Sequence, residues 1–184
     1  AAPILAKHLE RIGADAVIAE GCESGGHIGE MTTMTLIPQT VDAVDIPVIA
    51  AGGIADHRQM QAVLTLGACG AQIGTALLAA EECPIHENYK EAVLKAQGSD
   101  TIVTGRIGGT PVRVLKNQMS REYVKREKAG EDRMELEKFT LGSLRRAVFE
   151  GDTKNGSLMA GQSCGQLKEI RPVAEILAEI CRGI

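Results

Sequence analysis

The sequence predicts an α/β fold with parallel strands, on three observations. Short apolar runs alternate with stretches of helical periodicity through the first half of the chain. Those runs are apolar on both faces, as strands of a parallel sheet covered by helices must be. They end in glycine or in residues leading to it, at Gly21, Gly52-Gly53 and Gly74. Composition agrees: 44% of the 184 residues are hydrophobic but only 2% aromatic, so the core is built from Val, Ile, Leu and Ala.

The elements follow in order. Leu5, Leu9 and Ile12 recur at helical spacing, and Gly13 closes that first helix. "ADAVIAEG" is a short buried strand, followed by the loop "CESGGHIGE". In "TTMTLIPQTVDAV", Ile37, Val41 and Val44 share one helical face. "DIPVIAAGGI" is the next strand, with Pro47 near its start and Gly52-Gly53 at its end. "DHRQMQAVLTLG" is a helix with Met60, Val63 and Leu64 on one side and Gly67 as its stop. "ACGAQIGT" is a third strand; "TALLAAEEC" and "HENYKEAVLKAQ" read as helical.

The second half changes character. "TIVTGRIGGTPVRVLKNQ" has β-branched residues and turn glycines, and reads as extended chain or a lid hairpin. "MSREYVKREKAGEDRMELEK" is strongly charged, so most of it is solvated helix and loop. "LGSLRRAVFEG" is a short helix and "DTKNGSLMAGQSCG" a glycine-rich loop. In the last helix Val173, Ile176, Leu177, Ile180 and Cys181 follow one apolar stripe. A (β/α)8 barrel needs eight strands and typically about 250 residues. The chain opens on a helix and gives three secure strand–helix units. The expectation is therefore the C-terminal part of a TIM-type barrel, its N-terminal strands missing, with a small lid domain. Residues 1–97 would hold the barrel units, 98–165 the lid and connecting loops, and 166–184 a helix packed on the barrel.

Several function classes are disfavoured. Net charge is −4 with scattered basic residues, and stacking aromatics are scarce, which argues against a nucleic-acid partner. No run of eighteen apolar residues exists to span a bilayer, and no secretory signal pattern opens the chain, so a cytoplasmic location is expected. Cys22, Cys69, Cys83, Cys164 and Cys181 form no CxxC pair, which suggests free thiols and neither a disulfide frame nor a zinc site. Cys22, in the glycine loop, reads as a small loop residue.

"AAGGIAD" and "QIGTALL" share a design in which a buried strand runs out, glycine follows, and a helix or loop begins. Glycine lets backbone approach an anion without a Cβ in the way, and N–H groups at a helix start carry partial positive charge. Either loop alone reads equally as a turn; two on consecutive strands point to a phosphate, and Thr75 adds a hydroxyl donor. His27 follows a strand at the same end of the sheet, where α/β folds bind ligands, and imidazole holds or gives a proton near neutral pH. His8, His57 and His86 read as surface or helix-start residues. Glu20, at a strand terminus, is a better site candidate than Glu23 in the loop. No second His or Cys lies at ligand spacing, so a catalytic metal is not expected.

Together, "GADAVIAEGCESGGHIGEMTTMTLIPQ", "IPVIAAGGIAD" and "QIGTALL" resemble the flavin-dependent enoyl-acyl-carrier-protein reductase II enzymes, relatives of the nitronate monooxygenases (2-nitropropane dioxygenases). "HENYKEAVLKA", "PVRVLKNQ" and "GSLMAGQ" fit the reductase branch, and the resemblance covers nearly the whole chain. It implies a TIM-like barrel with a lid, binding FMN at the strand C-termini. Gly52, Gly53, Gly74 and Thr75 would hold the FMN phosphate, with Gln72 in the same motif. Glu20 would lie beside the flavin, Gly25 and Gly26 would border its ring, and His27 matches the catalytic histidine. Arg106 and Arg113 would belong to the lid over nicotinamide and acyl chain, a structural role being equally open. The implied activity is NADH- or NADPH-dependent reduction of a trans-2-enoyl thioester carried on acyl carrier protein, the last step of the bacterial fatty-acid elongation cycle. A monovalent-cation requirement stays open, and a homodimer is the family-level expectation. The alternative within the family is a nitronate monooxygenase, which oxidises alkyl nitronates with O2.

Overall fold

A computed structural model describes residues 2–107 and 109–184. Ala1, at the start of the first expected helix, and Gly108, in the expected hairpin, lie outside the described residues. The chain runs α1 (Pro3–Arg11), β1 (Val17–Glu20), β2 (Gly26–His27), α2 (Thr33–Val41), β3 (Val48–Ala51), α3 (His57–Thr65) and β4 (Gly70–Gln72). It continues through a 3₁₀ turn (Thr75–Ala79), α4 (Glu87–Lys95), β5 (Thr101–Thr104), β6 (Val112–Leu115), α5 (Gln118–Lys128), α6 (Arg133–Thr140), α7 (Ser143–Glu150) and α8 (Val173–Ile180).

The first layer is a parallel sheet in the order β1–β3–β4. Its register aligns Ala19 with Ala50 and Ala71, and Glu20 with Ala51 and Gln72. Successive residues of a strand point to opposite faces. The alanine row therefore turns to the helices, where small side chains admit close packing, and Ala19 and Ala50 join the core with Leu36, Ile37, Met60 and Val63. The row of Glu20, Ala51 and Gln72 falls on the other face, at the C-terminal strand ends. Asp56 caps α3 by accepting from Arg58 N at 2.9 Å, while Gln59 accepts from Asp56 N at 3.1 Å, so the helix starts at a fixed point after β3.

The second layer is an antiparallel sheet in the order β2–β6–β5, so of the two expectations, extended chain or hairpin, β5 and β6 form the hairpin. Its third strand is donated by the histidine loop, with Gly26 opposite Arg113 and His27 opposite Val112. A second apolar cluster lies behind it, joining Tyr89, Val93 and Ala96 at α4 to Leu115, Ala147, Leu158 and Cys164.

Some expected details differ. On α1, Leu5 and Ile12 are 51% and 66% exposed, and Ala6 is the buried residue, because the helix meets the body along one narrow line against α2 and β1. "TALLAAEEC" forms only the 3₁₀ turn Thr75–Ala79. There Ala80 bridges to Arg171, Glu81 N donates to Arg171 O at 2.9 Å, and Pro84 bars helical geometry at the residue before it. On α8, Ile176 and Ile180 are buried, but Leu177 and Cys181 face outward, since the helix rests its other side on α3 and the 3₁₀ turn.

Candidate functional site

The C-terminal ends of the three parallel strands open into a cavity of about 370 Å³. Its floor includes Glu20, Ala51 and Gln72, the in-register row across the sheet. Gly52 and Gly53 line one side, Gly74 and Thr75 another, and Gly25 and Gly26 a third. All eight residues expected around a cofactor thus border one space.

Each wall is fixed by local chemistry. Gly52 has φ +91°, and a Cβ there would lie 2.7 Å from Gly21 O, so β1's exit loop and β3's exit loop meet backbone to backbone. The Thr75 hydroxyl accepts from Gly161 N at 2.8 Å and keeps its own proton to donate. Gly161 belongs to the late glycine-rich segment, which also grips the histidine loop. Gln162 N donates to Glu23 O at 2.8 Å, and a Cβ on Gly25 would come within 2.6 Å of the Ala160 carbonyl carbon. Glu23 is used structurally. Its carboxylate accepts from Thr33 N and the Thr33 hydroxyl, each at 3.0 Å, at the start of α2.

His27 is not among the residues that line this cavity. Because β2 alternates faces, Gly26 borders the first cavity and the exposed His27 borders a neighbouring one of about 350 Å³. That second cavity is walled by Val112 and Val114 of β6 and by residues of α5 to α7, among them Tyr123 and Arg133. Met159 lines both cavities, so the two spaces adjoin.

Of the two roles open to Arg113, the structure shows the structural one. The residue is 7% exposed, and its Nε and Nη2 donate to Cys22 O at 3.1 and 2.8 Å, while Nη1 donates to Thr101 Oγ1 at 2.9 Å. Burial pushes its guanidinium pKa down. A planar fork satisfies two acceptors on two segments at once, which an ammonium cannot copy. Arg113→Met is expected to lower stability by about 3 kcal/mol, since it strips charged hydrogen bonds and strands buried acceptors. Arg113→Lys should recover less than half of that loss in urea denaturation. A lysine variant as stable as the parent would show that the fork is dispensable. Arg106 is exposed.

Sequence reasoning missed Ser24, Ala51, Ile54, Ile73, Leu78, Met159 and Ser163 as cavity residues. Ser24, Ala51, Ile54, Ile73 and Leu78 lie inside the quoted strand-end motifs, so their neighbours gave the only signal. Met159 and Ser163 arrive from a loop without periodicity, and only the fold brings them to β1, β3 and β4. Among the described residues no cluster of His, Cys, Asp or Glu could hold a metal, and no helix is long and apolar enough to cross a membrane.

Comparison with known proteins extends this geometry. The family model of nitronate monooxygenase matches residues 4–183. A "probable nitronate monooxygenase" of Bacillus subtilis (strain 168) is 35% identical over 183 residues, covering 95% of this chain and 53% of the relative. FabK from Thermotoga maritima has a TM-score of 0.94 at 50% identity, over 98% of this chain and 57% of FabK. A nitroalkane oxidase from Streptomyces ansochromogenes has a TM-score of 0.81 at 34% identity, over 97% of this chain and 54% of that protein. The chain spans little more than half the length of these relatives. Its α/β fold is the one expected, part of a TIM-type barrel shared with FabK and the nitroalkane oxidase. Matched from residue 4 to residue 183, the chain belongs to the nitronate monooxygenase family, a superfamily of flavin-dependent oxidoreductases.

Proposed function

We propose that this chain is the cofactor-holding part of an FMN-dependent enoyl-acyl-carrier-protein reductase that draws on NADH or NADPH. The observation that carries this reading is the pair of adjoining cavities, with glycine walls around the first and an imidazole beside the second. The 50% identity to FabK, an enoyl-acyl-carrier-protein reductase II, against 34% to nitroalkane oxidase, supports the reductase branch.

The first cavity suits a flavin nucleotide. Its volume of about 370 Å³ is of small-molecule size. Gly52, Gly53 and Gly74 leave backbone open to a phosphate, and Thr75 offers a hydroxyl proton. Gly25 and Gly26 leave room for a flat ring, and Glu20 and Gln72 supply polar groups at the strand ends. The buried Ser24 hydroxyl, without a partner among the described residues, is itself a sign of a polar ligand.

The bound flavin supplies hydride transfer from reduced nicotinamide to the β-carbon of a trans-2-enoyl thioester. The chain's own residues do the rest. His27 donates on the substrate side, to the α-carbon or to the thioester oxygen on which negative charge develops. Met159 separates cofactor from acyl group, and residues 98–165 act as the lid that excludes water. The enoyl group arrives on acyl carrier protein, and the protein acts as a cytoplasmic homodimer.

A second reading, oxidation of alkyl nitronates with O2, is supported by the name of the Bacillus subtilis relative. It uses the same cofactor cavity and the same histidine. In the complete protein, FMN is expected to bind, and NADH to be consumed with a crotonyl or longer enoyl thioester. O2 uptake with alkyl nitronates and no enoyl reduction would replace the reductase by the monooxygenase. Failure to bind FMN would remove both.

A further inference from the structure

We infer that Ser24 is a cofactor contact, its hydroxyl hydrogen-bonding the flavin nucleotide in the first cavity; this rests on the flavin reading of that cavity. The side chain is 8% exposed, and its Oγ is the one buried side-chain polar atom without a hydrogen-bond partner among the described residues. The same residue lines the first cavity. Buried polar groups are almost always paired, so an orphan in a cavity wall signals a partner that the cavity receives.

The orphan cannot relieve itself by moving. Ser24 N donates to Gly21 O at 3.2 Å, closing a tight turn. On one side Glu23 is fixed through its carbonyl to Gln162 N and through its carboxylate to Thr33. On the other, Gly25 has the backbone of Ala160 and Gly161 directly against it. Arg113 holds the Cys22 carbonyl from the opposite layer. With the loop anchored, Ser24 stays beside the cavity that it lines, and rotation about its Cα–Cβ bond brings the buried hydroxyl to a ligand there. Ser24 offers a small neutral hydroxyl that donates or accepts, which matches the mixed acceptors and hydroxyls of a ribityl phosphate or a flavin ring edge.

The test is Ser24→Ala in the complete protein, stripped of flavin and titrated with FMN by fluorescence quenching, alongside thermal unfolding of the stripped form. Removing the hydroxyl is expected to raise the FMN dissociation constant about fivefold to tenfold, the worth of one net hydrogen bond. The flavin-free variant should unfold at the same temperature as the parent or higher, because an unpaired buried hydroxyl has been deleted. A hydroxyl with a purely structural partner would give the opposite pattern, lower stability with unchanged affinity, and would overturn the proposal. Riboflavin in place of FMN locates the bond. A penalty with both ligands puts it on the ring or ribityl chain, and a penalty with FMN alone puts it on the phosphate; each supports the contact. Equal FMN affinity of parent and variant defeats the Ser24 contact while leaving the flavin reading intact. A parent that takes up no FMN defeats the flavin reading, and the contact falls with it.

Discussion

Gly52→Ala is expected to lower stability by about 2–6 kcal/mol and to abolish measurable FMN binding. Two costs add at this position. The backbone is held at φ +91°, a conformation in which an L side chain is strained by about 1–3 kcal/mol. The new Cβ would also sit 2.7 Å from Gly21 O and 3.1 Å from Gly21 N, which are backbone atoms that no rotamer change can move aside. Overpacking of that kind costs roughly 1–3 kcal/mol more. Gly21 is itself tied down, since its N–H donates to Ala51 O at 2.9 Å. Relief therefore means shifting the end of β1 away from β3, and with it Glu20 and the histidine loop. Gly13→Ala is the control. Gly13 has φ +99° but nothing within 4 Å of its Cβ position, so it carries the conformational cost without the clash. It should lose about 1 kcal/mol in urea denaturation and keep the parent's FMN affinity. Equal losses at the two positions would mean that the contact between the two loops contributes nothing.

The same contrast shows what a sequence can disclose. The parallel layer was legible because strand and helix write themselves locally: "VIAA" before two glycines is an apolar run with a built-in stop, and "DHRQMQAVLTLG" is an apolar stripe at helical spacing that ends in glycine. The cofactor candidates were legible for the same reason, since strands that end level in a sheet bring their following residues to one rim. Glu20, Ala51 and Gln72 are neighbours through register, and the register followed from three similar strand–glycine units. The site's other components are non-local. Nothing near Arg113 signals that its guanidinium will reach the carbonyl of Cys22, ninety-one residues earlier. Met159 and Gly161 lie in a loop without period, and their place between Gly25 and Thr75 follows from how the second layer docks. The histidine loop shows both limits. Its glycines announced a ligand, yet the two residues of β2 pair with a hairpin that only the tertiary fold could supply. That pairing turns His27 toward a different cavity from Gly26.

That turn makes His27→Gln the sharpest test of the chemistry. The side chain is exposed on a two-residue strand and makes no hydrogen bond to any other described residue, so its replacement should change stability by no more than about 0.5 kcal/mol. The cofactor candidates line the other cavity, so FMN affinity should stay within about twofold of the parent. Turnover is a different matter. A positioned proton donor contributes roughly 10²–10⁴-fold to a rate, equivalent to about 3–5 kcal/mol of barrier, and glutamine cannot pass a proton to carbon. The loss should fall on one half of the cycle. Bleaching of the flavin band by NADH involves no proton delivery to an acyl carbon and should proceed within about threefold of the parent rate. Recovery of colour on adding the enoyl thioester requires that delivery and should slow by about 10²-fold or more. The two half-reactions are separable by stopped-flow absorbance in the absence of O2. If both slow together, His27 shapes the nicotinamide site and has no special part in protonation. If neither slows, the imidazole beside the second cavity has no part in the reaction, and the proton must come from another group there, with the Tyr123 hydroxyl, which lines the same cavity, the first to replace.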